Sequence, residues 1–339
     1  MHFVIDPATL AQRGIVGLPN GIAHCFIVSG LQLLLHAAPF RTFLHRLANQ
    51  TPPITNASPL LEDFVHLFNK VWGDGWPNPP PPPNTFPQVR IHTRLYHSLV
   101  NGNLGVVNRQ AGNANDFLRA FLDRLKGEID GLVPAGQFDA LFSSTIQFTA
   151  PHQGQNFFGI NHLAMNESRW LMLSLLPWVD PSTRFIPIET MIVRGCLSQG
   201  HGFHQCNHQP HCTYDIDRNR ITGRFTHLPH ILSFSLIALP GTIQPDPSPV
   251  ITFIDGEIVP AGDQRANGPS LPNRVQYDLI GYVVYVGNHY MCIVKHPETN
   301  AWFQIDDDHV TPIIGPDPSR PGIVNPGFLI TIIMYARRP

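Results

Sequence analysis

The chain has 339 residues, room for one large domain or two small ones, and 43% of them are hydrophobic, enough for a packed core. A formal charge of −2 with only 14% charged residues excludes an electrostatic nucleic-acid binder. Five cysteines, an odd and sparse set, exclude a disulfide framework and fit a reducing compartment, cytoplasm or nucleus.

Taken in chain order, the N-terminal stretch MHFVIDPATLAQRG has no basic start and no continuous apolar run, so no signal peptide is expected. No apolar run approaches the roughly 20 residues of a membrane span, so no membrane partner is expected either. A turn-rich segment, Gly17 to His24, leads into Cys25 to Leu35, which is apolar on nearly all sides and predicts a buried helix ended by Pro39. Leu60 to Trp72 predicts a shorter helix, and the proline-rich stretch from Gly73 to Pro87 a loop. Asn113 to Leu125 is the clearest amphipathic helix. Asn113 or Asn115 can cap it, and Phe117, Leu118, Phe121, Leu122 and Leu125 form its core stripe.

The second half predicts strands at Leu228 to Ile237, Tyr277 to Val286, His289 to Lys295, Ala301 to Ile305 and Phe328 to Tyr335. Pro240 to Pro272, rich in Pro and Gly, reads as a long irregular connection. Helices followed by a strand block imply an α+β fold with a site between the two parts.

Three residue types carry chemistry. Cys25 stands at the start of the buried helix, where the dipole and free backbone N–H groups favour the thiolate. His289 follows far downstream, and Asp306 and Asp307 follow it. Cys, His and Asp in that order are the parts of a thiol protease. Each has a plainer reading: a lone cysteine is usually core, as Cys292 is expected to be, and Asp308 reads as part of a solvated turn.

The motifs around these residues resemble the ubiquitin-specific proteases, a papain-like group of deubiquitinating enzymes. The matching segments are GLPNGIAHCFIVSGLQLLLHAAPFR from Gly17, NANDFLRAFLDRL from Asn113 and the entry Leu228-Pro229-His230-Ile231-Leu232. YDLIGYVVYVGNHYMCIVKHPETNAWFQIDDDHV from Tyr277 and the closing Met334-Tyr335-Ala336-Arg337 complete the set, in family order. The resemblance implies a single papain-like α+β domain: a helical thumb over 1–150 and a β-sheet palm over 151–339, with shortened fingers near 190–236.

It also implies roles. Cys25 would be the nucleophile, His289 the base and then acid, Asp306 the residue that orients the imidazole, with Asp307 assisting, and Asn20 the oxyanion donor. Asn113, Asp116 and Tyr290 would line the channel for the substrate tail. The implied partner is ubiquitin, cut after its C-terminal Gly-Gly, with no cofactor required for catalysis. SUMO or another ubiquitin-like modifier is the alternative substrate, and an inactive ubiquitin-binding adaptor the alternative function.

Several positions depart from the family pattern. Asn113 stands where Asp is usual, Asn115 where Gln is, and His24 where a small residue precedes the nucleophile. An imidazolium at His24 would lower the thiol pKa; a solvated side chain would not. Asn288 replaces the glycine before the catalytic histidine, and Tyr285 a frequent histidine. No C-x-x-C pair survives, but Cys206, His208, His211 and Cys212 carry the S/N donors of a tetrahedral structural zinc.

Overall fold

The computed structural model describes residues 14–20, 24–49, 59–73, 86–91, 93–101, 112–151, 163–175, 185–197, 222–236, 244–260, 263, 265, 273–313 and 328–339. All eleven residues of helix α1 (Cys25–Leu35) are buried, as its all-round apolar surface requires. Pro39 does not simply end this helix. It sits in the first turn of α2 (Ala38–Ala48), where a missing N–H costs nothing, and the chain turns by 85° between the two.

Then follow α3 (Pro59–Trp72), α4 (Thr93–Asn101), α5 (Ala114–Ile129) and the short α6 (Gln137–Phe142). Helix α1 packs on α5 along one side. The Phe26 and Phe117 rings meet edge to face at 5.9 Å, and Gly30 admits the Phe117 ring where a larger residue would crowd it. Burying a phenylalanine is worth about 1.5–3 kcal/mol, against roughly 1 kcal/mol for an N-cap. This seam, more than the Asn113 cap, fixes where α5 lies. No single helix among the described residues is long and apolar enough to cross a membrane.

The main sheet runs β13-β12-β11-β10-β14-β6-β3. Its spine is β10 (Arg274–Val286), flanked by β11 (His289–Lys295) and β14 (Leu329–Arg337). Beyond β11 come β12 (Trp302–Asp306) and β13 (His309–Ile313); beyond β14 come β6 (Ile231–Leu236) and β3 (Leu173–Leu175). Both faces are covered. Val283, Cys292, Val294, Ile332 and Met334 belong to the core shared with α1 to α6, whereas Tyr282, Val284, Ile293, Ile333 and Tyr335 belong to a second core on the opposite face. Strands covered twice read as continuous apolar runs rather than alternating ones.

The long Pro/Gly-rich connection holds more structure than its composition suggests. It contains β7 (Gln244–Asp246), β8 (Val250–Ile254) and β9 (Glu257–Val259), and β8 pairs with the first half of β10. A second sheet, β2-β1-β5, uses β1 (Ser144–Pro151), β2 (Leu163–Trp170) and β5 (Thr222–His227). Its strands span residues 144–227. The remaining elements are β4 (Phe185–Pro187), parallel to β7, and α7 (Ile188–Ile192), which widens into a π-helical turn at Val193–Leu197.

Candidate active site

The segment before Cys25 is clamped between two others. Gly17 N–H donates to Pro87 O at 3.0 Å, Val89 N–H to Gly17 O at 2.9 Å, and Leu18 N–H to Asp307 O at 2.8 Å. Gly17 lies against the Asp308 carbonyl so closely that any Cβ would collide with it. Glycine at 17 thus lets the nucleophile loop touch the turn that follows Asp306. Asp308 is not merely solvated: its carboxylate accepts from Gln88 at 3.0 Å, which closes the clamp.

His289 opens β11 directly after a two-residue turn. Gly287 and Asn288 both adopt positive φ, 55° and 68°, the conformation that a twisted hairpin turn of this length needs. Val286 faces His289 across the turn and Tyr285 faces Tyr290. Tyr290 is then in a non-hydrogen-bonded pair, so its N–H points away from β10. That N–H reaches the Cys25 sulfur. Strand pairing alone therefore brings the residue after His289 onto the thiol.

His289 Nε2 lies 2.6 Å from Asp306 Oδ1 and 3.9 Å from Asp307 Oδ2. With Nε2–H donated to Asp306, Nδ1 is the ring nitrogen left for proton transfer. Asp307 has φ of 53° in the turn between β12 and β13, and one carboxylate oxygen accepts from Asn20 Nδ2 at 2.9 Å. Asn20 Oδ1 accepts from the His24 backbone N–H, also at 2.9 Å. The two bonds fix which end of the amide is which. One Nδ2 proton goes to Asp307; the other remains for a developing negative charge.

Cys25 is the first residue of α1 and is only 6% exposed. The helix start favours the thiolate, but burial works against it. Burial pushes the thiol above its usual range, and the Asp307 charge adds to this. The backbone N–H groups of Tyr290, Phe26 and Cys25 act the other way without overcoming the loss of water. Burial and the Asp307 charge thus both disfavour the charged form. Iodoacetamide alkylation of Cys25, followed by peptide mass mapping, is expected to keep accelerating through and beyond the ordinary titration range of cysteine. A rate already level between pH 6 and 7 would show instead a standing thiolate–imidazolium pair.

His24 does not supply an imidazolium. Burial lowers its pKa, and its ring nitrogen Nε2 pairs with Tyr96 Oη at 3.0 Å. A neutral ring there adds no charge beside the sulfur.

The expected substrate wall is assembled at the start of α5. Asn113 accepts from Asn115 N–H at 2.8 Å, so its side chain is a helix cap. Asn113 and Asp116 both line a pocket of about 410 Å³, with Arg119, Trp170, Ser174 and Leu236 among its other walls. The Tyr290 hydroxyl bonds the Ala114 backbone and lies within electrostatic reach of Asp116 and Cys25, which links this wall to the nucleophile. Burial raises the Tyr290 pKa. The other lining residues were not expected there from the sequence. Arg119, which donates to Ser174 Oγ at 3.1 Å, was legible as a residue one turn past Asp116. Asn115, which donates to Leu236 O at 2.7 Å, carried no such signal because its partner is distant in sequence. Cys206, His208, His211 and Cys212 lie outside the described residues. Cys292 is fully buried in the core, as expected.

A thiol at the start of a central helix, packed against an antiparallel sheet that carries an imidazole, is the arrangement of the papain-like cysteine proteases. A family model described as ubiquitin carboxyl-terminal hydrolase matches residues 16–321, and the chain belongs to that family of thiol-dependent deubiquitinating peptidases. Among solved structures, the fold is similar to a chain of the SAGA Ubp8/Sgf11/Sus1/Sgf73 DUB module bound to ubiquitin aldehyde. The match has 16% identity and a TM-score of 0.66, over 97% of this chain and 70% of that one. A variant of the same module bound to monoubiquitin matches with 14% identity and a TM-score of 0.65, over the same shares of 97% and 70%. No protein of curated function matches the sequence.

Proposed function

We propose that this peptidase releases ubiquitin from lysine side chains by cutting the isopeptide bond after the ubiquitin C-terminal Gly-Gly. The supporting observation is the linked pair of contacts at one helix start: His289 on Asp306 at 2.6 Å and Asn20 on Asp307 at 2.9 Å, beside Cys25. Cys25 Sγ gives its proton to His289 Nδ1 as the sulfur attacks the glycine carbonyl. Asp306 stabilises the imidazolium. The second Asn20 Nδ2 proton and the backbone N–H at Cys25 meet the oxyanion. The intermediate collapses, the lysine amine leaves with the His289 proton, and a thioester remains. Water then loses a proton to His289 and attacks the thioester; the C–S bond breaks, the His289 proton returns to the sulfur, and ubiquitin leaves as an acid that ionises to its carboxylate.

Asp116 and Tyr290 line the channel for the basic, glycine-ended tail, and Asn113 shapes it as the cap of α5. This chemistry draws on protein groups alone. Zinc enters the reading only as a structural ion at Cys206, His208, His211 and Cys212, and the reading places the enzyme in cytoplasm or nucleus.

Ubiquitin and SUMO carrying electrophilic C-termini test the proposal, with Cys25→Ala as control. An adduct with ubiquitin alone, lost in the variant, is expected. An adduct with SUMO alone would move the substrate to that modifier. No adduct with either, together with retained ubiquitin binding, would make the protein an adaptor.

A further inference from the structure

A second pocket, of about 230 Å³, is walled by Pro19, His24, Ile27, Val28, Ile91, Tyr96 and Leu99, and shares no residue with the pocket beside Asp116. Its place relative to the nucleophile follows from the pitch of α1. Successive residues rotate by about 100°. Counting from Cys25, Phe26 and Gly30 stand near ~100° and ~140°, and both face Phe117 of α5. Ile27, Val28 and His24 stand near ~200°, ~300° and ~260° on the other flank. Cys25 thus sits between the α5 side, where the ubiquitin tail runs under the proposed function, and this pocket.

A carbonyl attacked at Cys25 has its acyl part on one side and its leaving amine on the other. With the acyl part along α5 and Tyr290, the leaving group lies toward His24. The pocket wall there is mostly aliphatic. Its polar elements, the His24 ring and the Tyr96 hydroxyl, are already paired at 3.0 Å, and His24 is neutral. Among the described residues of the wall, none carries a full charge to attract an ionic group. The volume is below that of pockets for whole small ligands and suits one side chain.

We propose that this pocket is a leaving-group subsite, which takes an apolar side chain of the acceptor protein next to the lysine being released. The inference rests on the ubiquitin isopeptidase reading above. It makes the enzyme selective for the surroundings of the modified lysine through a site that does not touch ubiquitin.

The test compares three substrates of the native protein: ubiquitin linked through its C-terminus to a lysine peptide with leucine on both sides, the same peptide with glycine on both sides, and ubiquitin amide of a small fluorophore. The leucine peptide is expected to be cut with kcat/KM roughly tenfold above the glycine peptide. Ile91→Trp, which fills the pocket, should bring that ratio to about one whatever its effect on the absolute rates. Equal kcat/KM for both peptides in the native protein, or a ratio that survives Ile91→Trp, overturns the inference while the fluorophore amide is still cut. Failure to cut any of the three overturns the isopeptidase reading and this subsite with it.

Discussion

Cys25→Ala is expected to lower hydrolysis of a ubiquitin C-terminal amide by a factor on the order of 10⁶, with ubiquitin binding retained. Under the proposed mechanism the site works as a unit: the sulfur is a poor nucleophile until His289 takes its proton, and burial raises the pKa that this step must overcome. His289→Ala should therefore fall to nearly the same rate, and the double variant should be no worse than either single one. The fold should tolerate the change, because alanine is the best helix former and the lost sulfur lies at a helix end. Steady-state kinetics and binding calorimetry check both halves. Losses that multiply in the double variant would mean that Cys25 and His289 act separately.

The second large effect concerns the oxyanion donor. Asn20→Ala should cost about 10²–10³ in kcat with KM little changed, since the contact forms only as the carbonyl oxygen gains charge. Asp307 aims that amide through the 2.9 Å bond. Asp307→Ala should thus lose part of the same activity, and the two substitutions should be strongly non-additive in a double-mutant cycle. Asn20→Asp should be worse than alanine, because it sets a second carboxylate against Asp307 and a negative charge near the oxyanion. A matched rise in KM would show that Asn20 serves ground-state binding instead.

What could be read beforehand was what local physics determines. The end of β10, the two-residue turn and the whole of β11 fall where apolar runs and Gly287-Asn288 place them. Helix α5 begins after the Asn113 cap and carries the expected stripe inward. What could not be read depends on distant partners. β8, in the Pro/Gly-rich connection, is held as a strand by the first half of β10. The register of β1 on β2 and β5 uses residues up to 82 positions away, for example Thr145 opposite His227. A helix start is visible in sequence; the depth of burial that opposes the Cys25 thiolate is not. Asn20 was singled out as a donor, but its second job, tying Asp307 to the His24 amide, lies across a sequence gap that no spacing rule spans.

That gap has a consequence in time. Asn20 and Asp307 are 287 residues apart, and β14, which separates β10 from β6 within the main sheet, follows both. A ribosome threads out the thiol first, the base and acid much later, and then the strand that joins the two parts of the sheet. Closing so long a loop is slow and comes late. The sulfur is thus made long before the groups expected to use it, and the appearance of turnover can serve as a clock for the joining of the two ends.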